Sequence, residues 1–446
     1  MNYVPHTSED RSEMLKTIGV SSIDELFSDV PSQVKLDRKL NLPPAMSEFQ
    51  LMKYMSDLAG KNTTTDRMVS FLGAGVYDHY VPSVVKHIIS RSEFYTSYTP
   101  YQAEVSQGML QSIFEYQTLM CELTAMDISN ASLYDGATAI TEAAMMASRL
   151  TRKQEVIISQ AVHPDYRRTL RTYAHNLELN VTEVPFKDGS TDIKAIRDLV
   201  SDSTACVILQ SPNFFGCIEN MALAAEAAHE KKALFVACVD PISLGIIAPP
   251  GEYGADIAVG EAQGLGIPMG FGGPHLGFMT CRKEHMRQMP GRVAGETHDN
   301  QGRRGYLLTL QAREQHIRRD RATSNICSNQ ALCALAATVY LSWLGKQGIK
   351  EVAEQCVAKA HYACEKLSEI PGFERKHSAP FFKEFAVKTP VNPEKLCKGL
   401  LEASILGGLP LGRFYSGLSD SMLVAVTEKR TKGEIDALCR ALEGLV

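Results

Sequence analysis

Residues 236–278 read VACVDPISLGIIAPPGEYGADIAVGEAQGLGIPMGFGGPHLGF, and the rest of the chain can be placed around them. Residues 236–239 are a short apolar run ending in Asp240, the pattern of a buried parallel strand that carries a carboxylate to its C-terminal edge. In open α/β sheets that edge is where ligands bind. A second short strand is predicted over 255–259. Gln263 follows it, and then a glycine- and proline-rich loop, 264–274, where backbone can approach a ligand or a partner chain closely.

Outward from this ribbon the chain alternates. Strands at 156–159, 183–186 and 205–210 are interleaved with helical patterns from Asp165, over 192–200 and over 221–232. That order predicts a mostly parallel sheet covered on both faces. From Asn329 a long apolar helix runs to Leu344, the strut expected between a large and a small domain. Beyond it, a strand (385–388), a helix (393–402), Gly407-Gly408, a strand (422–426) and a last helix (432–445) make a small α/β lobe. At the other end, 23–27 and 48–58 have helical spacing and are separated by Pro31 and Pro43-Pro44. An arm of that size has too little apolar area to fold alone. The expected organisation is therefore a helical arm (1–61), a large α/β domain (62–328), and a linking helix with a small C-terminal α/β domain (329–446).

With 446 residues, 44% hydrophobic and 22% charged, the chain is ordinary for a globular protein, and its net charge of −5 argues against a general nucleic-acid binder. The first residues are polar and mixed in charge, and no run of about 18 apolar residues is present, so neither a signal peptide nor a membrane span is expected. The expected location is the cytoplasm. Eleven cysteines lack any CxxC pair and read as reduced core residues, not as a disulfide framework or zinc site. No metal is expected.

Several segments carry candidate functional residues. FLGAGVYDHYVP (71–82) places Gly73 and Gly75 about a tight loop before Tyr77, but it is too short for a nucleotide fingerprint. Tyr95, Tyr98 and Tyr101 precede a helix predicted from about Ser106, with an apolar face of Leu110, Phe114, Leu119 and Leu123. Tyrosines in a loop are ordinarily packing or interface groups; their density beside Glu104 favours a lined cleft. Gly136-Ala137-Thr138 starts an alanine-rich helix, which reads equally as an anion site and as a small-residue start for close packing. His163 follows a strand and precedes a proline, where capping of local backbone is the competing reading. Arginines at 303, 304, 313, 318, 319 and 321 suggest an interface first and a solvated face second.

A strand-end aspartate followed by a strand and a glycine-rich loop resembles the pyridoxal-phosphate-dependent transferase fold of the aspartate aminotransferase type. In that fold the aspartate pairs with the pyridine nitrogen, and a lysine after the next strand forms the Schiff base. Here Gln263 stands at the lysine position, and no lysine occurs between Ala233 and Arg282. An amide nitrogen is delocalised into its carbonyl and cannot replace that nucleophile. More specifically, FLGAGVYDHYVP, YTPYQAEVSQG, NASLYDGATA, GGPHLGF, MPGRVAG and REQHIRRDRATSNIC together resemble the glycine decarboxylase P-protein of the glycine cleavage system. The likeness is to the N-terminal half of the long form, hence to subunit 1 (alpha) of the two-subunit form.

The resemblance implies a homologous lysine-bearing subunit 2 that holds pyridoxal phosphate, a heterodimer assembled as α2β2, and a reaction in which glycine is decarboxylated and its aminomethyl group passes to the lipoyl arm of the H-protein. It implies that Gly73, Gly75, Tyr77, Tyr98, Tyr101 and Glu104 line a shared active-site cleft. Asp240, Gly136, Thr138 and His163 would be vestiges of a cofactor site, with no cofactor bound covalently by this chain. A purely structural partner and a stand-alone pyridoxal-phosphate enzyme are the alternatives.

Overall fold

The computed structural model describes residues 5–270 and 272–446; residues 1–4, at the start of the expected arm, and Phe271, in the glycine-rich loop, lie outside them. The chain divides into two compact units, Met1–Thr63 and Thr64–Val446. The first contains helices α1 (Ser8–Ile18) and α2 (Glu48–Ala59), each begun by a capping box, on Thr7 with Asp10 and on Ser47 with Gln50. Neither helix buries a residue.

The second unit is built on a seven-stranded sheet. Its strands are β1 (Ile128–Ser129), β2 (Glu155–Ser159), β3 (Asn180–Val184), β4 (Thr204–Ser211), β5 (Leu234–Val239), β6 (Ile257–Glu261) and β7 (Gly277–Cys281). They lie in the order β1-β7-β6-β5-β4-β2-β3. From β3 to β6 all neighbours are parallel, and β7 is antiparallel to both β6 and β1. The apolar runs follow from burial on two faces. Ile157, Val207, Leu209, Phe235 and Ala237 join one core cluster, whereas Val156, Cys206, Ile208, Val236 and Cys238 join another on the opposite face.

Helices α3 (Gln107–Thr124), α4 (Gly136–Thr151), α5 (Pro164–Leu177), α6 (Ile193–Leu199) and α7 (Met221–His229) complete this lobe. The long helix α8 (Ala331–Ser368) then leads to a four-stranded sheet of β8 (Glu374–Arg375), β9 (Glu384–Lys388), β10 (Leu409–Pro410) and β11 (Ser421–Ala425). Helices α9 (Pro393–Glu402) and α10 (Lys432–Glu443) pack with that sheet around Phe385, Val424, Leu400 and Leu438.

Several elements differ from the sequence reading, among them a helix expected over 221–232 that ends at His229. The predicted strand 183–186 is β3 from Asn180 to Val184, and Phe186–Lys187 instead pairs with Ser190–Thr191 in a hairpin. The second ribbon strand starts later and runs on to Glu261. Of the expected apolar face of α3 only Leu110 is buried, beside Met109, Ile113, Tyr116 and Met120, whereas Phe114, Leu119 and Leu123 are half-buried, because α8 and the hairpin 293–309 cover different sides of it. The strut does not stop at Leu344 but kinks at Gly345, where φ is +60°, and continues to Ser368.

Candidate functional site

Two neighbouring strand ends form the floor of the site. Cys238 of β5 is in register with Val259 of β6, so Asp240 and Glu261 leave the same sheet edge side by side. Two carboxylates so close repel unless each has its own partners. Asp240 is met by Lys383, the residue before β9, whose Nζ is 2.6 Å from Oδ2. The same ammonium lies 3.7 Å from the centroid of the Tyr77 ring and 2.9 Å from His79 Nε2. An ammonium only donates, so Nε2 accepts and the ring proton is on Nδ1, which donates to Glu428 Oε2 at 2.6 Å. His79, Cys356 and Glu428 bring three potential metal donors together. Both imidazole nitrogens are engaged, however, which leaves no ring lone pair for a cation.

Glu261 has a different set of partners. It accepts from the backbone N–H groups of Gly136 at 3.0 Å, Leu276 at 2.8 Å and Gln263 at 3.0 Å. Burial pushes its carboxyl above the usual range, and the Leu276 and Gly136 N–H groups oppose that shift. Gly136 opens α4, so the anion position at this helix N-terminus is filled by a side chain of the same protein. Thr138 serves the cap: its N–H and hydroxyl both reach Asp135 Oδ1 at 2.7 Å. A Cβ at Gly136 would stand 2.5 Å from the Tyr166 hydroxyl, so only glycine admits that phenol. The Tyr166 ring lies on the His163 imidazole, centroids 4.6 Å apart and planes at 23°. His163 donates from Nε2 to Ala74 O at 2.9 Å and accepts at Nδ1 from Asp165 N at 3.1 Å, which fixes the neutral tautomer. Burial holds its pKa below the ordinary value.

The segment 71–80 covers this floor. Ala74 N and the Tyr77 hydroxyl donate to Glu384 at 2.7 and 2.9 Å, and burial pushes the Glu384 carboxyl up to about 7. Gly73 packs against the same carboxylate, where a Cβ would overlap Oε1. Gln263, 2% exposed, accepts from Tyr77 N at 2.9 Å and donates to Tyr77 O at 3.2 Å and Ile267 O at 2.7 Å. Its amide is saturated and spent on holding the loop. Between Tyr77, Tyr166, Asp240, Glu261, Lys383 and Glu384 there remains a cavity of 30 Å³. That is room for a water or two.

Gly75, Tyr77 and Asp240 line this small cavity, with the Tyr77 side chain turned inward, and Gly73, Gly136, His163 and Gln263 lie just behind them, against Glu384, Glu261, Tyr166 and Tyr77. Tyr98, Tyr101 and Glu104 stand apart from it. Tyr98 is 81% exposed, and Glu104 sits exposed on the turn Ala103–Val105, with no hydrogen-bond or ion-pair partner for its carboxylate among the described residues. Tyr101 is anchored: its hydroxyl accepts from Arg292 Nη2 at 3.2 Å, and its ring is 5.4 Å from that of His316. Of the arginine cluster, Arg313 is buried and donates from Nη2 to Gly291 O at 2.7 Å, so it braces the fold internally. Sequence reasoning missed Lys383, Glu384, Glu261 and Tyr166. A signal for the first two exists: in FFKEF (381–385) a lysine and a glutamate interrupt an aromatic run that enters a buried strand.

The family model described as glycine cleavage system P-protein matches residues 1–442. A chain of Desulforamulus reducens called probable glycine dehydrogenase (decarboxylating) subunit 1 is 55% identical over 442 residues, covering 99% of each chain. The crystal structure of glycine decarboxylase (P-protein) of the glycine cleavage system, in inhibitor-bound form, aligns over 100% of both chains with a TM-score of 0.92 and 44% identity. Glutamate decarboxylase of Lactobacillus brevis aligns with a TM-score of 0.70 at 11% identity, over 94% of this chain and 97% of its own, a likeness of fold alone. The fold is the pyridoxal-phosphate-dependent transferase fold, aspartate aminotransferase type I. The residues of this pocket do not fit that cofactor: Asp240, the carboxylate expected at the ring nitrogen, is paired with Lys383, the helix N-terminus is taken by Glu261, and Gln263, expected at the lysine position, is an amide engaged by backbone.

Proposed function

Since the chain belongs to the glycine cleavage system P-protein family, as a subunit 1 of glycine dehydrogenase (decarboxylating), we propose that it is the half of the enzyme that holds no cofactor and completes the active site of the other half. The other half is a homologous, lysine-bearing subunit 2 that holds pyridoxal phosphate, in an α2β2 assembly. Together they decarboxylate glycine and pass its aminomethyl group to the lipoyl arm of the H-protein. The carrying observation is Gln263: every hydrogen-bonding group of its amide is engaged by the chain's own backbone, and the cavity lined by the neighbouring Tyr77, Asp240 and Gly264 holds only 30 Å³.

This chain's own contribution is the segment 95–104. Tyr101, fixed by Arg292, holds its ring at the surface, and Tyr98 and Glu104 are exposed, the Glu104 carboxylate with no hydrogen-bond or ion-pair partner among the described residues. We assign these three to the partner's cleft, where a carboxylate and two phenols can hold the ammonium of glycine or guide the lipoyl arm. Gly73, Gly75 and Tyr77 supply the adjoining wall through backbone, with Leu72 and Tyr80 exposed on the outer side of their segment. No helix of the described residues is long and apolar enough to cross a membrane. All eleven cysteines are unpaired, which suits a reducing cytoplasm.

The test is co-expression with subunit 2 and reduction of the complex with borohydride. Phosphopyridoxyl-lysine is expected on subunit 2 alone, and any on this chain overturns the reading. Glycine–bicarbonate exchange by the same complex, absent from either chain alone, is the expected activity.

A further inference from the structure

The groups that fill the pocket repeat, piece by piece, the charges and the ring of the ligand the fold was built to hold. At the β5 edge a cation is needed opposite Asp240, and the Lys383 ammonium stands there at 2.6 Å. At the N-terminus of α4 an anion is needed, and the Glu261 carboxylate takes the Gly136 N–H at 3.0 Å. Over the His163 imidazole a flat ring is needed, and the Tyr166 phenol lies on it at 4.6 Å and 23°. The three come from separate places: the entry to β9, the end of β6 and the first turns of α5. Nothing in local packing obliges a cation, an anion and an aromatic ring to meet in that spatial order.

We propose that Lys383, Glu261 and Tyr166 are the resident ligands of a latent pyridoxal-phosphate site, a protein-made replica that keeps the pocket charge-balanced and closed, and that removing them reopens it. This rests on the reading that the natural chain holds no cofactor. The physical reason for the replica is the cost of the alternative. An aspartate at a buried strand edge without its cation, or a helix N-terminus facing an apolar ring without an acceptor, is left with an uncompensated charge or orphan N–H groups. Cofactor and replica exclude each other, because both need the same Asp240 oxygen and the same N–H.

Two experiments test the proposal, both on the complex co-expressed with subunit 2. In the first, Gln263→Lys supplies an amine, alone and then with Lys383→Ala, Tyr166→Ala and Glu261→Ala, the last because glutamine would still accept from the Gly136 N–H. After incubation with pyridoxal phosphate and borohydride, the peptide containing residue 263 is examined by mass spectrometry. Gln263→Lys alone is expected to fix none, and the opened chain to approach one per chain; labelling of Gln263→Lys alone to the same extent, or none in a fully assembled opened chain, overturns the proposal. Labelling of the unsubstituted chain at any lysine would instead overturn the reading on which it rests.

The second experiment needs only mild changes and therefore stands if the opened chain fails to fold. Lys383→Met, Asp240→Asn and their combination are melted side by side. Each single change strands a buried charge, so Tm is expected to fall by roughly 5–10 °C, and the pair to recover most of that loss. Losses that simply add would show that Lys383 is not the resident cation of Asp240, and the proposal falls.

Discussion

The inner pocket and the segment 95–104 are opposites in one respect that matters. Around Asp240 and Gln263 the partners are found within the chain, and little space remains. Along Tyr98 to Glu104 an exposed ring and an unpaired carboxylate are presented with only Tyr101 tied down. A side chain that has spent its hydrogen bonds can stabilise but has nothing left to offer a substrate. One that has not spent them costs little in water and becomes useful when a second surface covers it. On the proposed reading, stability and function fall to different parts of the molecule, and mutations can separate them.

The sharpest break is expected from the outer region. Tyr101→Phe and Glu104→Gln are near-isosteric, and in the assembled complex each should lower the glycine decarboxylation rate by about two to three powers of ten, the usual cost of losing a group that acts in the transition state. Cofactor absorbance and complex yield should not change. Full activity per bound cofactor in both variants would leave this chain as a structural partner only.

The inner region should answer to pH. Glu384 titrates at about 7 in the folded chain against 4.5 for the free carboxyl, raised by burial. Between those values the folded state keeps a proton that the unfolded state has lost. Its stabilising contribution is fully present below about 4.5 and is lost as pH rises through about 7, by up to about 3 kcal/mol. Glu142, also pushed up to about 7 by burial, adds a fall of the same sign. His163, held neutral by burial, contributes in the opposite sense as pH rises, so the quantity to read is a difference. Chemical denaturation from pH 5 to 8 should lose the Glu384 part of the decline in Glu384→Gln, while the Glu142 and His163 parts persist. A slope of the same steepness in Glu384→Gln would remove Glu384 from the account.

Smaller effects refine the same contrast. Gln263→Leu leaves the Tyr77 N–H without its acceptor and should cost roughly 1–3 kcal/mol in denaturant titrations, with turnover per assembled complex unchanged. A fall in turnover at equal assembly would mean that the inner network does shape the outer surface. Asp135→Ala removes the cap of α4 and should cost about 1 kcal/mol. A loss several times larger would show that the cap also holds Glu261 in place.

How much of this was legible in the sequence follows the range of the interactions. The ribbon announced itself, since the strand ending at Asp240 and the glutamine in the lysine position are local patterns, and α9 has the limits its spacing predicted. Glu261 was missed because the apolar pattern of β6 fades two residues before the strand ends, and pairing with β7 carries it on. Lys383 was missed because it was sought only in the ribbon; it arrives from the other lobe, and no local rule links it to Asp240. Tyr77 reads only as an aromatic after two glycines, with no local sign of its direction. What turns it inward is Glu384, supplied by the same distant strand.

The segment 71–80 also decides how the chain can move. On one side Gln263 and His163 hold it to the large sheet; on the other Glu384, Thr427 and Glu428 hold it to the small lobe. Two-lobed folds that admit a ligand commonly open and shut about a hinge. Here any such swing would have to tear one or other row of these bonds together with the Lys383–Asp240 pair, which spans the two sides directly. Within Thr64–Val446 these contacts tie the two lobes together. Hydrogen–deuterium exchange at the Ala74 and Tyr77 amides should accordingly be as slow as at the central strands, reporting global unfolding and no lesser breathing.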